Sequence, residues 1–379
     1  MNSSVGAPAK AKGLPSPAAD VTVDVDWGTG YELVLGLRML VDRDEDPASY
    51  AAGTEWFERT RRLLEPDVLS AAERYSGGHE ILFGYLLALA ADTPAPRDAA
   101  AVVAAVGAIS PLELRRLLLG GRLATYRGDV PSEAIDSAAA GDTGAVRALL
   151  DGCLDWQREP YEHVLSVDAD EAKELLEIAC RGWHTAVLGP DERATARVLR
   201  RSARTTRALA ERLHTVDLVD RATSGVRYGG EPGIERILLV PHVISRPWSI
   251  FTESGSTKIV CYGVDDAQLT GDAPPDPLVA AYKALGDETR LRILRRLSEG
   301  PAGLVELTEL TGLAKSTVHG HLLVLRTGGL VVAQASKKGS YSLRRETLVM
   351  GINQERGGMK PAEDSPEASA ASPGSGPES

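Results

Sequence analysis

Hydrophobic runs long enough to cross a bilayer are missing: the two longest, 81–91 and 99–109, hold 11 residues each, where a spanning helix needs about 20. The first residues lack the basic-then-apolar pattern of a secretory signal. Cysteine is scarce and odd in number, with Cys153, Cys180 and Cys261 far apart, which excludes a disulfide framework and fits a reducing compartment. A cytoplasmic chain is expected. Catalytic signatures are missing too. Gly28-Thr29-Gly30 lacks the third glycine of a dinucleotide loop, and Ser254-Gly255-Ser256-Thr257-Lys258 lacks the leading glycine spacing of a phosphate loop. There is no Gly-x-Ser-x-Gly elbow, and the acidic residues pair at no informative spacing. No catalytic or cofactor-binding residue can be named, so no enzyme and no cofactor are expected.

What is present is an ordinary globular composition, 43% hydrophobic and 25% charged over 379 residues, enough for two or three domains. Residues 1–25 and 351–379, rich in Ala, Pro, Ser and Gly, have too little to bury and read as disordered tails. Residues 26–225 read as a helical, regulatory region, with helices over 31–41, 55–64, 80–90, 111–119, 143–150, 170–187 and 191–213 broken at Pro47, Pro66, 93–96, Pro131, Pro160 and Gly189-Pro190. From 226 to 271 the β-branched stretches IERILLVPHVI and SIFTESGSTKIVCYGV read as a small β segment. A Pro-rich linker at 272–276 leads to residues 277–350.

This last segment has helix-turn-helix grammar. Leu291, Leu294 and Leu297 give an amphipathic helix capped by Asp287 and ended by Gly300-Pro301. A short helix follows at 304–310, and Thr311-Gly312 turns into a helix that begins near Lys315. There Val318, Leu322 and Leu325 form one apolar stripe, at i, i+4 and i+7. Ser316, Thr317, His319 and Gly320 lie off it, near the electropositive helix N-terminus. Strands at 330–335 and 340–343 around Ser336-Lys337-Lys338-Gly339 read as a wing hairpin with lysines at its tip. The fold class is therefore mainly α with small β elements: a C-terminal winged helix-turn-helix preceded by a helical domain and a short β segment.

LGDETRLRILRRL and GLAKSTVHGHLLVLRTGGLV, including His321-Leu322 and Gly329-Leu330-Val331, resemble the ArsR-type winged-helix regulators over about 70 residues. The sequence departs at Gly320 and Leu323, where that family often has longer polar side chains. It departs again at Leu304-Val305-Glu306-Leu307, where the metal sensors of the family carry cysteines, so metal sensing there is not implied. The resemblance implies a sequence-specific DNA-binding transcription repressor that binds an inverted-repeat operator as a homodimer. DNA contacts fall to Lys315, Ser316, Thr317, His319, Gly320, His321 and Arg326 on the recognition helix, and to Lys337, Lys338 and Tyr341 on the wing. For His321, packing against backbone is at least as good a reading. Tyr282, Leu285 and the segment around Leu348 are the implied dimer seam.

Charge distribution supports the DNA reading. Residues 277–348 hold 4 Lys and 7 Arg against 6 Asp and Glu, a net +5, so the net −11 of the whole chain leaves −16 elsewhere. Phosphate contact is expected to be confined to the C-terminal module, with an unidentified effector acting on the N-terminal region and no membrane partner. Cys180 and His184 have the i, i+4 spacing of a metal pair, to which Glu177, Cys153 or His163 can be added, but a buried thiol and a packed histidine are the plainer reading. Trp183, Trp248 and Tyr262 could line a ligand pocket, although such aromatics are more often core. The alternative function is an interaction or enzymatic protein acting through residues 26–270, with the winged helix used for docking or dimerisation.

Overall fold

A computed structural model describes residues 21–43, 45–270, 277–334 and 340–344. Among the described residues the chain is mostly helical, and the strands form two four-stranded sheets. The first sheet has the order β1 (Thr22–Val25), β3 (Arg236–His242), β5 (Thr257–Gly263), β4 (Ile250–Ser254). The hairpin β4–β5 is antiparallel, as the Ser/Gly turn leads one to expect, whereas β1 and β5 both run parallel to β3.

Parallel strands are stable when both faces are covered. Leu238, Val240, Ile259 and Cys261 pack into the large helical core with Tyr31, Leu35, Leu86 and Trp183. The alternate residues Ile237, Leu239, Val260 and Tyr262 pack against Ala203, Leu218 and Val219, from the helices Glu192–Ala210 and Thr215–Ala222. Two sequence-based boundaries are thereby corrected. The strands at 236–263 form the middle layer of the helical region and pack into its cores on both faces. The N-terminal tail ends before Thr22, because Thr22–Val25 supply a strand. Residues 1–20 and 351–379 of the two expected tails, and the linker 272–276, lie outside the described residues.

Within the helical region, Pro66 begins the helix Pro66–Ser76 at a position where a missing N–H costs nothing. The helix Ala169–Trp183 is capped by the Asp168 side chain and ends in a π-turn, His184–Leu188. It crosses Thr29–Val41 at Gly36, where an added Cβ would stand 2.5 Å from Cζ2 of Trp183, so only glycine admits the indole. In the same helix, Glu32 is fully buried and accepts the N–H groups of Val243 (2.6 Å) and Ile244 (3.0 Å). Burial pushes its carboxyl up to about 7 against those two bonds. His242 donates Nε2–H to the Trp248 carbonyl at 3.0 Å, its ring kept neutral by burial. Together these bonds fix the loop that carries Trp248.

The C-terminal domain comprises the helices Pro277–Leu285, Glu288–Glu299, Leu304–Thr311 and Lys315–Thr327 with strands β6 (Ala302–Gly303), β7 (Val331–Gln334) and β8 (Ser340–Leu343). Its core contains Val318, Leu322 and Leu325, as the stripe requires, with Ile293, Leu297, Leu307 and Val331. Asp287 caps the second helix by accepting from Arg290 N at 2.9 Å, and Gly312 closes the third in the left-handed conformation. The expected stripe of the second helix is rotated: Ile293 and Leu297 are buried while Leu291 is 49% exposed.

The second sheet joins the two regions. Its order is β2 (Val226–Arg227), β7, β8, β6, so a strand from the N-terminal region pairs in parallel with β7, Val226 opposite Ala333 and Arg227 opposite Gln334. Gly225 leads into β2 at φ +104°, and its carbonyl accepts from Ala333 N at 2.8 Å. A side chain there would be strained and would press on the Val331 carbonyl.

Candidate nucleic-acid interface

The recognition helix Lys315–Thr327 buries Val318, Leu322 and Leu325 and turns Lys315 and Thr317 to solvent, with Ser316 and Gly320 partly exposed beside them. Nothing lies within 4 Å of a Cβ built on Gly320. The first-turn N–H groups have no side-chain cap. This end of the helix therefore offers a cation, two hydroxyls and unsatisfied backbone donors, a set suited to phosphate oxygens and base edges.

The other expected contacts are distributed differently. His319 packs against the N-terminal region: its ring centroid is 4.2 Å from that of Trp248, edge to face, and its Nε2 is hydrogen-bonded to Tyr341 Oη at 3.2 Å. Burial, aided by Arg326 and Lys315, holds its pKa down to about 4. The ring is neutral at physiological pH, so the 4.0 Å approach of Glu45 Oε1 to Nδ1 is a polar contact rather than an ion pair. Tyr341 is buried beside it.

Arg326, expected at DNA, is 8% exposed and donates from Nη2 to the Thr223 carbonyl at 2.8 Å, just after the helix that precedes β2. Burial lowers its pKa. Arg344 pairs with Asp220 of that helix. These arginines fasten the two regions together. His321 Nδ1 lies 3.6 Å from Asp287 Oδ1, the cap of a neighbouring helix, which favours packing over a DNA contact for this ring. Lys337 and Lys338 lie outside the described residues.

Trp248 and Glu45 are the participants that sequence reasoning does not connect to this site. Trp248 stands out as an aromatic, but nothing local to ISRPWSI signals contact with a helix some seventy positions later.

The metal-like spacing does not assemble. Cys180 is fully buried, its thiol pushed up to about 12 by burial. His184, in the π-turn, binds Glu192 Oε2 at 3.1 Å. The Cys153 thiol donates to the Leu150 carbonyl, and His163 Nε2 is 3.1 Å from the Tyr75 carbonyl. Among the described residues no group of three or more His, Cys, Asp and Glu side chains could hold a metal ion. Trp183 and Tyr262 are buried, the latter with its hydroxyl on Thr206 Oγ1 at 2.7 Å, so neither lines an open pocket. No helix among the described residues is long and apolar enough to cross a membrane.

Residues 287–332 match the family model of the bacterial regulatory proteins of the arsR family. The match begins at the Asp287 cap and ends inside β7, so it covers the helix-turn-helix and leaves the helical region and its sheet outside. No curated protein matches the chain.

Proposed function

We propose that the protein is a cytoplasmic, sequence-specific transcription repressor that binds an inverted-repeat operator as a homodimer and whose DNA affinity is set by its N-terminal region. The observation that carries this reading is the recognition helix itself, which keeps Lys315, Ser316, Thr317 and Gly320 outward above a fully buried Val318–Leu322–Leu325 stripe, in a domain of arsR type. Such a helix seats in a major groove, with the following hairpin reaching backbone or minor groove. Half-exposed Val279 and Tyr282 on Pro277–Leu285 supply apolar surface for a two-fold seam, and a two-fold dimer mirrors a palindromic site. Leu285 packs in its own domain's core, and Leu348 lies outside the described residues.

The contact of His319, itself hydrogen-bonded to Tyr341, with Trp248 supports a closed state with reduced access to DNA. An effector that binds the helical region more tightly in one of the two arrangements would shift the equilibrium between them, since only differential affinity does so. The deciding experiment is a gel shift of the full-length chain on the DNA upstream of its own gene against a scrambled duplex. Selective retardation supports the proposal. Equal or absent retardation would return the function to residues 26–270.

A further inference from the structure

The helix Glu192–Ala210 carries six arginines, one glutamate, and no lysine or aspartate, in a chain of net charge −11. Arg193, Arg197, Arg200, Arg204 and Arg207 recur at alternating steps of four and three, which places them in one stripe. All five are exposed, while Leu199, Ser202, Ala203 and Thr206 on the opposite face are buried, two of them against the central sheet and its hydroxyls. Arg207 is anchored by donating to the Val25 carbonyl, from Nη2 at 2.7 Å. Arg193, Arg197, Arg200 and Arg204 have neither a hydrogen-bond partner nor a carboxylate partner among the described residues.

A solvated face that serves solubility alone ordinarily intersperses the two signs, as Arg181 does with Glu177 on the preceding helix. Four unopposed guanidinium groups in a row repel one another and favour a polyanion. They recur about 5–6 Å apart along roughly 17 Å of helix. A nucleic-acid backbone presents phosphates at comparable density, and guanidinium binds phosphate in two-pronged fashion where lysine does not.

The stripe is also tied to the DNA-binding domain. The next helix, Thr215–Ala222, leads into Thr223 and β2, which bind Arg326 and β7, so the two surfaces belong to one assembly.

We propose that this arginine stripe is a second contact surface for nucleic-acid phosphate, which holds DNA flanking the site read by the recognition helix. The expectation that phosphate contact is confined to the C-terminal module is replaced accordingly. The inference rests on the DNA-binding reading, and its test is separable from it.

Binding of the full-length chain to the duplex upstream of its own gene, and to a scrambled duplex, is followed by fluorescence anisotropy over a range of KCl concentrations. Four variants are compared with wild type: Arg193, Arg197, Arg200 and Arg204 all to Gln; the same four to Lys; Lys315→Ala with Thr317→Ala; and both the Gln and the recognition-helix sets together. The Gln variant should bind both duplexes more weakly and lower the slope of log affinity against log salt by up to about 3.6, roughly 0.9 for each phosphate no longer neutralised, while keeping its preference between them. The Lys variant should keep most of the slope. The recognition-helix variant should instead lose preference. An unchanged slope in the Gln variant, with circular dichroism showing it folded, overturns the inference even if the recognition helix behaves as proposed. The inference is equally overturned if the Gln variant loses binding only to anionic phospholipid vesicles, which would make the stripe a membrane surface. If wild type binds neither duplex, both readings fall. If only the stripe matters, the recognition-helix reading falls alone.

Discussion

The indole of Trp248 stands edge-on to the imidazole of His319, with ring centroids 4.2 Å apart and planes at 70°. One ring belongs to the loop after the central strand β3 and the other to the helix Lys315–Thr327. Reading an operator through His319 requires this pair to separate. The closed arrangement is held as well by Arg326 on the Thr223 carbonyl and Arg344 on Asp220, so the aromatic contact is one of several terms and its removal should shift the balance without abolishing it.

Trp248→Ala is therefore expected to tighten operator binding by a factor of up to about ten, since an aromatic pair contributes roughly 0.5–1.5 kcal/mol beyond its area. Titration of labelled operator in fluorescence anisotropy reads the change, with a thermal melt as control for folding. Unchanged or weaker affinity in a folded variant would count against a closed state.

Acidification should favour the open arrangement. The His319 pKa is held to about 4 in the closed state and returns toward about 6.5 when the ring is solvated. Between those values the open state binds the extra proton, so closure is fully favoured above the upper value and weakens as pH falls through it. Glu45, Arg326, Lys315 and Tyr341 face the ring. The cations oppose protonation and Glu45 favours it. Tryptophan emission of the DNA-free protein should change between pH 7 and pH 5, and His319→Phe, which cannot protonate, should flatten that change. A change that survives in His319→Phe would assign the transition to another group.

At the recognition face, Ser316→Ala or Thr317→Ala should reduce discrimination between operator and scrambled DNA, each by about 0.5–1.5 kcal/mol if the hydroxyl makes one hydrogen bond to a base edge. Lys337→Ala with Lys338→Ala should weaken binding to both alike and lower the salt slope by about two. Competition gel shifts separate the two behaviours. Equal loss on both duplexes in the serine and threonine variants would make those hydroxyls positioning contacts.

Gly320→Ala should stabilise the folded domain by about 0.5–1 kcal/mol, because glycine is a poor mid-helix residue and the added methyl meets nothing within 4 Å. A rise in melting temperature checks this. If DNA affinity falls at the same time, the DNA backbone approaches the helix at this position.

What is legible in the sequence divides by range. The Asp287 cap, the Gly312 turn, the Val318–Leu322–Leu325 stripe and the antiparallel β7–β8 pairing depend on neighbours a few residues apart, and each lies where the spacing puts it. Leu291 is misplaced by the sequence pattern because three leucines at steps of three fit a helix face as well as the true pair, Ile293 and Leu297. Thr22–Val25 read as tail because four residues carry no periodicity; their partner lies more than two hundred positions away. Arg326 reads as a DNA contact because a basic residue on a recognition helix ordinarily goes there. Its burial against Thr223 depends on a pairing between regions that no local pattern reports. The arginine stripe is present at helical spacing, but a count of net charge over the whole N-terminal region averages it away.

The pairing of β2 with β7 bears on how the protein could be divided. Val226 and Arg227 occupy the outer hydrogen-bonding row of β7, the row that an edge strand otherwise leaves open to any passing chain. A C-terminal piece freed from the helical region would expose that row, together with the empty counter-position of Arg326. It should be prone to self-association through added strands, a hazard from which the helical region shields the C-terminal domain by occupying that row.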